Sequence, residues 1–261
     1  MTFARILALV ALALPAADAA ARACAHRGDQ EVSPENTVPA LQSAARKGAR
    51  QIEFDVKFTR DRRLVLLHDP TLDRTTSGKG RLAEFDFDPV RALDAGRWFS
   101  AAFAGTRVPT FEEALAAIPP GVLLNVHLAD SSGLVLQVAR RLDQLGRARD
   151  AFLACSERQA AEVRAVYPAL RICNMSRQGG DVEKYVERTI AMGAQFIQLV
   201  DAAGGKLPEK LAEHCRRLHS HGVTVNYFGA QEEEKIRALA AAGVDYVLTD
   251  RLSLCRRVLG E

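Results

Sequence analysis

The chain has 261 residues, 48% hydrophobic and 26% charged, with a formal net charge of +3, the make-up of a folded α/β domain with a full apolar core. So small and dispersed a positive charge, with no basic run interleaved with aromatic residues, argues against nucleic-acid binding. Five cysteines are sparse and show no metal-type spacing: Cys24, Cys155 and Cys173 sit in or beside apolar runs and read as buried thiols, while Cys215 with Cys255 is the one pairing the pattern offers.

Residues 1–21 read as a secretory signal peptide, with Arg5 ahead of an apolar run from Ile6 to Leu14, then Pro15 and the small-x-small phrase Ala17-Asp18-Ala19. That run is well short of the ~20 residues that span a bilayer, so no stable membrane insertion is expected. A secreted or periplasmic protein results, with residues 22–261 as its single domain.

After the leader, a short apolar strand empties into His26-Arg27-Gly28. A helix is expected next, capped by Ser33, with Pro34 in its first turn and Gly48 at its end. Gln51 to Val56 follows as a strand in which Glu53 and Asp55 share one face, about 7 Å apart. Two like charges so close call for a cation. The polar turn Thr59-Arg60-Asp61-Arg62 reverses the chain into Leu64 to Leu67, a hairpin that returns His68 to the neighbourhood of Asp55. A hard oxygen-ligating ion beside a titratable imidazole suits hydrolysis.

Residues 70–107, rich in Thr, Gly, Asp and Arg, read as a long insertion over the catalytic face, with Trp98 and Phe99 as its anchors. Beyond it a phrase repeats: Gly48-Ala49-Arg50-Gln51-Ile52, Gly193-Ala194-Gln195-Phe196-Ile197 and Gly243-Val244-Asp245-Tyr246-Val247 each end a helix and enter a strand. Thr110-x-x-Glu113 and Ser156-x-x-Gln159 have the form of capping boxes. Strands are predicted at 23–26, 51–56, 122–128, 150–155, 170–174, 195–200, 222–227 and 245–249, eight in all, which fits a (β/α)8 TIM barrel. A doubly wound sheet is the alternative, but the glycine-rich phosphate loop that usually follows its first strand is missing. The barrel mouth then gathers His26, Arg27, Glu53, Asp55, Asn125 and His127, with His68 on the rim.

The ordered phrases His26-Arg27-Gly28, Pro34-Glu35-Asn36-Thr37, Glu53-x-Asp55-Val56, Thr59-x-Asp61, His68-Asp69, Leu72-Asp73-Arg74-Thr75-Thr76 and Pro109-Thr110 closely resemble the glycerophosphodiester phosphodiesterases. The resemblance is dense from residue 24 to about 118 and returns at Leu248-Thr249-Asp250. It implies a TIM barrel with an insertion after the second barrel strand, and hydrolysis of a small-molecule glycerophosphodiester to glycerol phosphate and an alcohol. By resemblance, His26 and His68 match the acid–base pair, Arg27 a phosphate contact, and Glu53 and Asp55 ligands of one calcium or magnesium ion. The family places a glutamate ligand and a phosphate-binding lysine on the third barrel strand, where this chain has His127 and Ala129. With His127 as the third ligand, manganese or zinc becomes the alternative ion. Arg74 or Lys79 is then expected to replace the missing lysine, and Asn125, Asn226 and Tyr227 to line the substrate pocket. Two alternatives stay open: a same-fold enzyme releasing a cyclic phosphate, and a phosphate-ligand binder without catalysis. Oligomeric state is not readable from the sequence.

Overall fold

The computed structural model describes residues 20–176, 178–202 and 204–261. The expected leader lies, except for Ala20 and Ala21, outside these residues. Among the described residues nine strands form, β1 (Arg22–Ala25), β2 (Gln51–Phe58), β3 (Leu64–Leu66), β4 (Leu123–Leu128), β5 (Ala151–Cys155), β6 (Arg171–Asn174), β7 (Phe196–Leu199), β8 (Thr224–Phe228) and β9 (Tyr246–Thr249). All but β3 run parallel, and the ring closes because β1 pairs with β9 on one side, Cys24 opposite Leu248, and with β2 on the other, Cys24 opposite Gln51. The fold is a TIM barrel, and each strand expected from the sequence is one of its staves.

Helices alternate with the strands: α1 (Val38–Arg46), α2 (Phe87–Ala92) in the insertion, α3 (Phe111–Ala117), α4 (Leu134–Gln144), α5 (Glu157–Arg164), α6 (Val182–Ala191), α7 (Leu211–Ser220), α8 (Glu233–Ala241) and α9 (Leu252–Leu259). The period-two alternation of a strand sends Ile52, Phe54 and Val56 outward into the main apolar cluster with Leu41 and Phe111, and turns Gln51, Glu53 and Asp55 inward. Inside the barrel the two halves differ. Phe152 and Phe196 stack with ring centroids 4.0 Å apart and pack with Ala154 and Cys173, so the β5–β7 side is apolar and the charged groups gather at β1, β2 and β4.

Three expectations are corrected. The first helix begins at Val38, with Thr37 at its N-cap and not Ser33, because Asn36 has φ 55° and a left-handed residue interrupts a helix. Cys215 and Cys255 are both free, buried thiols, as are the other three cysteines. The insertion is held by a small core in which its Leu72, Leu82, Val90 and Ala95 pack with Val65, Leu67 and Val108 on either side of it; Trp98, 41% exposed, stands edge-on to Phe99 outside that core.

The hairpin forms as read: β3 lies antiparallel on β2, with Val56 opposite Leu66, and the Leu67 N–H donates to the Asp55 carbonyl at 3.2 Å, bringing His68 back beside Asp55.

Candidate active site

The turn after β1 builds the wall of the mouth. Arg27 and Asn36 both adopt positive φ, and the Asn36 N–H donates to the Arg27 carbonyl at 2.9 Å, closing a tight loop. Gly28 makes this closure feasible: at φ +81°, an added Cβ would lie 2.7 Å from the Ala40 carbonyl carbon. Strained backbone of this kind persists only where its surroundings fix it. Here the fixing is done by carboxylates, since the Arg27 N–H donates to Glu53 Oε2 (2.8 Å) and the Asn36 amide donates to Asp55 Oδ2 (2.8 Å) while accepting from the Asp55 N–H (3.0 Å).

Glu53, Asp55 and His127 each bring a ligand-type atom to one point, all within 4.8 Å of one another. His127 Nδ1 lies 2.8 Å from Asp55 Oδ1 and 3.9 Å from Glu53 Oε1. Both carboxylates are buried, at 3% and 4% exposure. Burial and the neighbouring Asp55 charge push the Glu53 carboxyl well up. Burial acts on Asp55 in the same direction, but the hydrogen bond and charge of His127, with the charges of His68 and Arg27, hold it well below the usual carboxylate range. Two buried carboxylates and an imidazole converging on one point fit a divalent cation.

Two histidines flank this point, and each leans on a carboxylate. His26 Nδ1 is 2.6 Å from Asp250 Oδ1, and since a carboxylate only accepts, that nitrogen carries the proton and Nε2 is turned toward Glu53, 4.0 Å from its Oε2. The ring packs at 4.6 Å against Phe228, and Gln30 donates to Asp250 at 2.5 Å. Burial would raise the Asp250 carboxyl, but His26 and Arg27 bring it down. His68 Nδ1 sits 2.8 Å from Asp69 Oδ1, and its side chain is more than a third exposed.

Arg74 reaches in from the insertion and grips two carboxylates at once, donating to both oxygens of Glu35 (2.7 and 2.8 Å) and both of Asp69 (2.7 and 3.0 Å). The Arg74 hydrogen bond holds Asp69 down at about 2, against the pull of burial and with help from His68. Glu35 is shared with Arg27, whose Nη1 donates to it at 2.8 Å. Arg74 is therefore committed to carboxylates, and Lys79 is an exposed group 3.9 Å from Asp73, so neither offers the free cation expected of it.

Below the charged mouth, Asn125 is fully buried and donates to Gln198 Oε1 at 3.4 Å, and neither polar atom of the buried Asn226 side chain has a hydrogen-bond partner among the described residues. Tyr227 lies on the opposite face of β8 from Asn226 and Phe228. Its ring is in the outer apolar cluster and its hydroxyl donates to Asp201 at 2.7 Å, so that face of β8 cannot line a pocket at the mouth. A cavity of about 530 Å³ opens between α6 and α7, lined by Tyr185, Leu199 and Lys210 among others; Glu53, Asp55, His127 and the two flanking histidines are not in its walls. Asp250, Gln30 and Lys57 are mouth residues that sequence reasoning left without a role. For Asp250 a signal existed, an acid at the end of the last barrel strand.

A (β/α)8 barrel whose C-terminal mouth gathers buried carboxylates, carboxylate-backed histidines and clamped arginines defines a hydrolase-type enzyme. The profile of the glycerophosphoryl diester phosphodiesterase family matches residues 26–254, and the chain belongs to that family. It is a phosphoric diester hydrolase of the glycerophosphodiester phosphodiesterase class. A glycerophosphodiester phosphodiesterase of Caldanaerobacter subterraneus subsp. tengcongensis is 32% identical over 234 residues, 87% of this chain and 92% of the relative. Among solved structures, a glycerophosphodiester phosphodiesterase from Agrobacterium tumefaciens is similar at TM-score 0.74 and 26% identity, covering 91% of this chain and 99% of that one. An Oleispira antarctica phosphodiesterase in complex with the product sn-glycerol-3-phosphate superposes at TM-score 0.79 and 23% identity, over 93% and 98% of the two chains.

Proposed function

We propose that this enzyme hydrolyses glycerophosphodiesters to glycerol phosphate and an alcohol on a divalent cation held by Glu53, Asp55 and His127, with His26 and His68 as its acid–base pair. The observation that carries this reading is the convergence of the three ligand-type groups between two histidines, each fixed through Nδ1 by its own carboxylate. A bound cation supplies electrophilic stabilisation of the phosphoryl oxygens and lowers the pKa of water. Asp250 keeps the proton on His26 Nδ1 and leaves Nε2 to exchange one with the substrate; Asp69 does the same for His68. Arg27, at the base of the mouth, offsets phosphate charge. A mixed oxygen and nitrogen donor set favours manganese or zinc over calcium or magnesium. A binder without catalysis has no use for two backed imidazoles.

Phosphorus NMR of glycerophosphocholine with the purified protein and calcium, magnesium, manganese or zinc tests the reading. Glycerol phosphate is the expected product, lost in His26→Ala and His68→Ala. A cyclic phosphate would make the substrate hydroxyl the nucleophile, and no turnover with any ion would leave a binder. Export is proposed from the leader pattern in residues 1–21; N-terminal sequencing of protein recovered outside the cytoplasm tests it.

A further inference from the structure

The arginines of the mouth are held by carboxylates: Arg27 lies 2.8 Å from Glu35 and 3.5 Å from Asp55, and Arg74 is clasped by Glu35 and Asp69. Lys57 is different. It follows Glu53 and Asp55 on the inward face of β2, one alternation further toward the open end. Its side chain is half-buried and lies within the electrostatic reach of Asp55, Asp69 and Arg27, yet among the described residues its ammonium makes no hydrogen bond and no ion pair within 4.0 Å. An ammonium carries three donors, and withdrawing it from water without a partner is unfavourable. A group left this way at a catalytic mouth is poised for an anion that arrives.

The neighbouring strand leaves the space to it. Val56 pairs in register with Leu128, which puts Ala129 at the level of Lys57, and the Ala129 N–H donates to the Val56 carbonyl at 3.3 Å. Ala129 contributes only a methyl group at that level, packed against the main apolar cluster, so among the described residues Lys57 is the cation that the seam between β2 and β4 presents, one alternation beyond Asp55 and its strand partner His127. A lysine suits a non-bridging phosphate oxygen as a point charge, without the fork geometry that an arginine imposes.

We propose that Lys57 is a substrate-binding residue whose ammonium takes a non-bridging oxygen of the phosphodiester. This rests on the reading of the site as a glycerophosphodiesterase centre. It assigns to β2 both the carboxylates and the cation that meets the substrate, within three alternating positions.

The test compares wild type, Lys57→Met, which keeps the apolar stem, and the double variant Lys57→Ala/Ala129→Lys, which moves the ammonium one strand over at the same level. Three quantities are read: kcat/KM on glycerophosphocholine, calorimetric affinity for sn-glycerol 3-phosphate, and affinity for manganese. For Lys57→Met, kcat/KM is expected to fall roughly 100-fold and product affinity about tenfold, with manganese affinity unchanged. The double variant is expected to recover most of both losses. Wild-type kcat/KM and product affinity in Lys57→Met would overturn the proposal, and so would a parallel loss of manganese binding, which would make Lys57 a support of the ligand set. If the wild type turns over no glycerophosphodiester, the functional reading fails by itself, and the product-affinity arm still decides for or against Lys57.

Discussion

Asp69 links the reacting end of the chain to the insertion, because one of its oxygens meets His68 and both meet Arg74. Arg74 is the main reason its carboxyl lies at about 2, so Arg74→Gln is expected to return Asp69 toward the ordinary aspartate value of about 3.9. For a depressed carboxyl, the stabilising contribution is present above the unfolded value and is lost as pH falls through the folded one. The wild-type clasp should therefore survive down to about pH 2, and in Arg74→Gln the contribution of Asp69 should shrink to what His68 alone sustains. Carboxyl carbon NMR titration of Asp69 measures this directly; an unmoved midpoint would mean that His68 or local backbone, and not Arg74, sets it. Asp250→Asn tests the other histidine: with no obligate acceptor on Nδ1, His26 loses its fixed tautomer, and kcat should fall on the order of 100-fold while the fold stays intact by circular dichroism. These two pairs also show what a sequence exposes at this scale. His68 and Asp69 are adjacent in the chain, so their partnership is legible, whereas His26 and Asp250 are 224 residues apart and meet only because the barrel closes.

Elements whose ends are decided by neighbours three residues away were legible, and those decided across the barrel were not. In α3 the Thr110 hydroxyl accepts from the Glu113 N–H at 3.1 Å and Glu113 accepts from the Thr110 N–H at 2.9 Å; Ser156 and Gln159 start α5 in the same way. The start of α1 lies several residues beyond Ser33 because Asn36 takes its left-handed turn to reach Asp55, a partner 19 residues on that no local pattern announces. The α3 cap also has a second task. Arg91 of α2 donates to both oxygens of Glu113 (2.8 and 2.5 Å) and to the Val108 carbonyl (2.7 Å), so the box that begins a barrel helix also ties down the insertion. Thr110→Ala should cost about 1 kcal/mol and lower Tm by about 2–4 °C. Glu113→Ala, which removes the Arg91 anchor as well, should lower it further and raise the rate of proteolysis within residues 70–107. Equal effects from the two substitutions would show that Arg91 contributes nothing to holding the insertion.

At the scale of the molecule, the repeated glycine-to-strand phrase made the eight-stave barrel readable, but not the unequal division of its interior. The apolar stack of Phe152 on Phe196 fills one side, and the other side carries two buried carboxylates that the folded chain must tolerate. The tolerance has a sign. Because burial and Asp55 raise the Glu53 carboxyl, the folded protein without an ion binds more protons at this residue than the unfolded chain does, and its stability falls as pH rises above the ordinary glutamate range of about 4.3. A divalent ion needs both carboxylates ionised, so it competes with that proton and binds more tightly as pH rises. Asp55 and His127 are paired across β2 and β4, so an ion held by both would stabilise the whole barrel by its binding energy. At a hundredfold excess over Kd the gain is about 2.7 kcal/mol, or roughly 5–10 °C in Tm for a chain of this size. Calorimetric scans of chelator-treated protein with and without manganese should show that increase, larger at pH 8 than at pH 6, and greatly reduced in His127→Ala. An increase independent of pH would remove Glu53 from the ligand set, and an undiminished increase in His127→Ala would remove the imidazole.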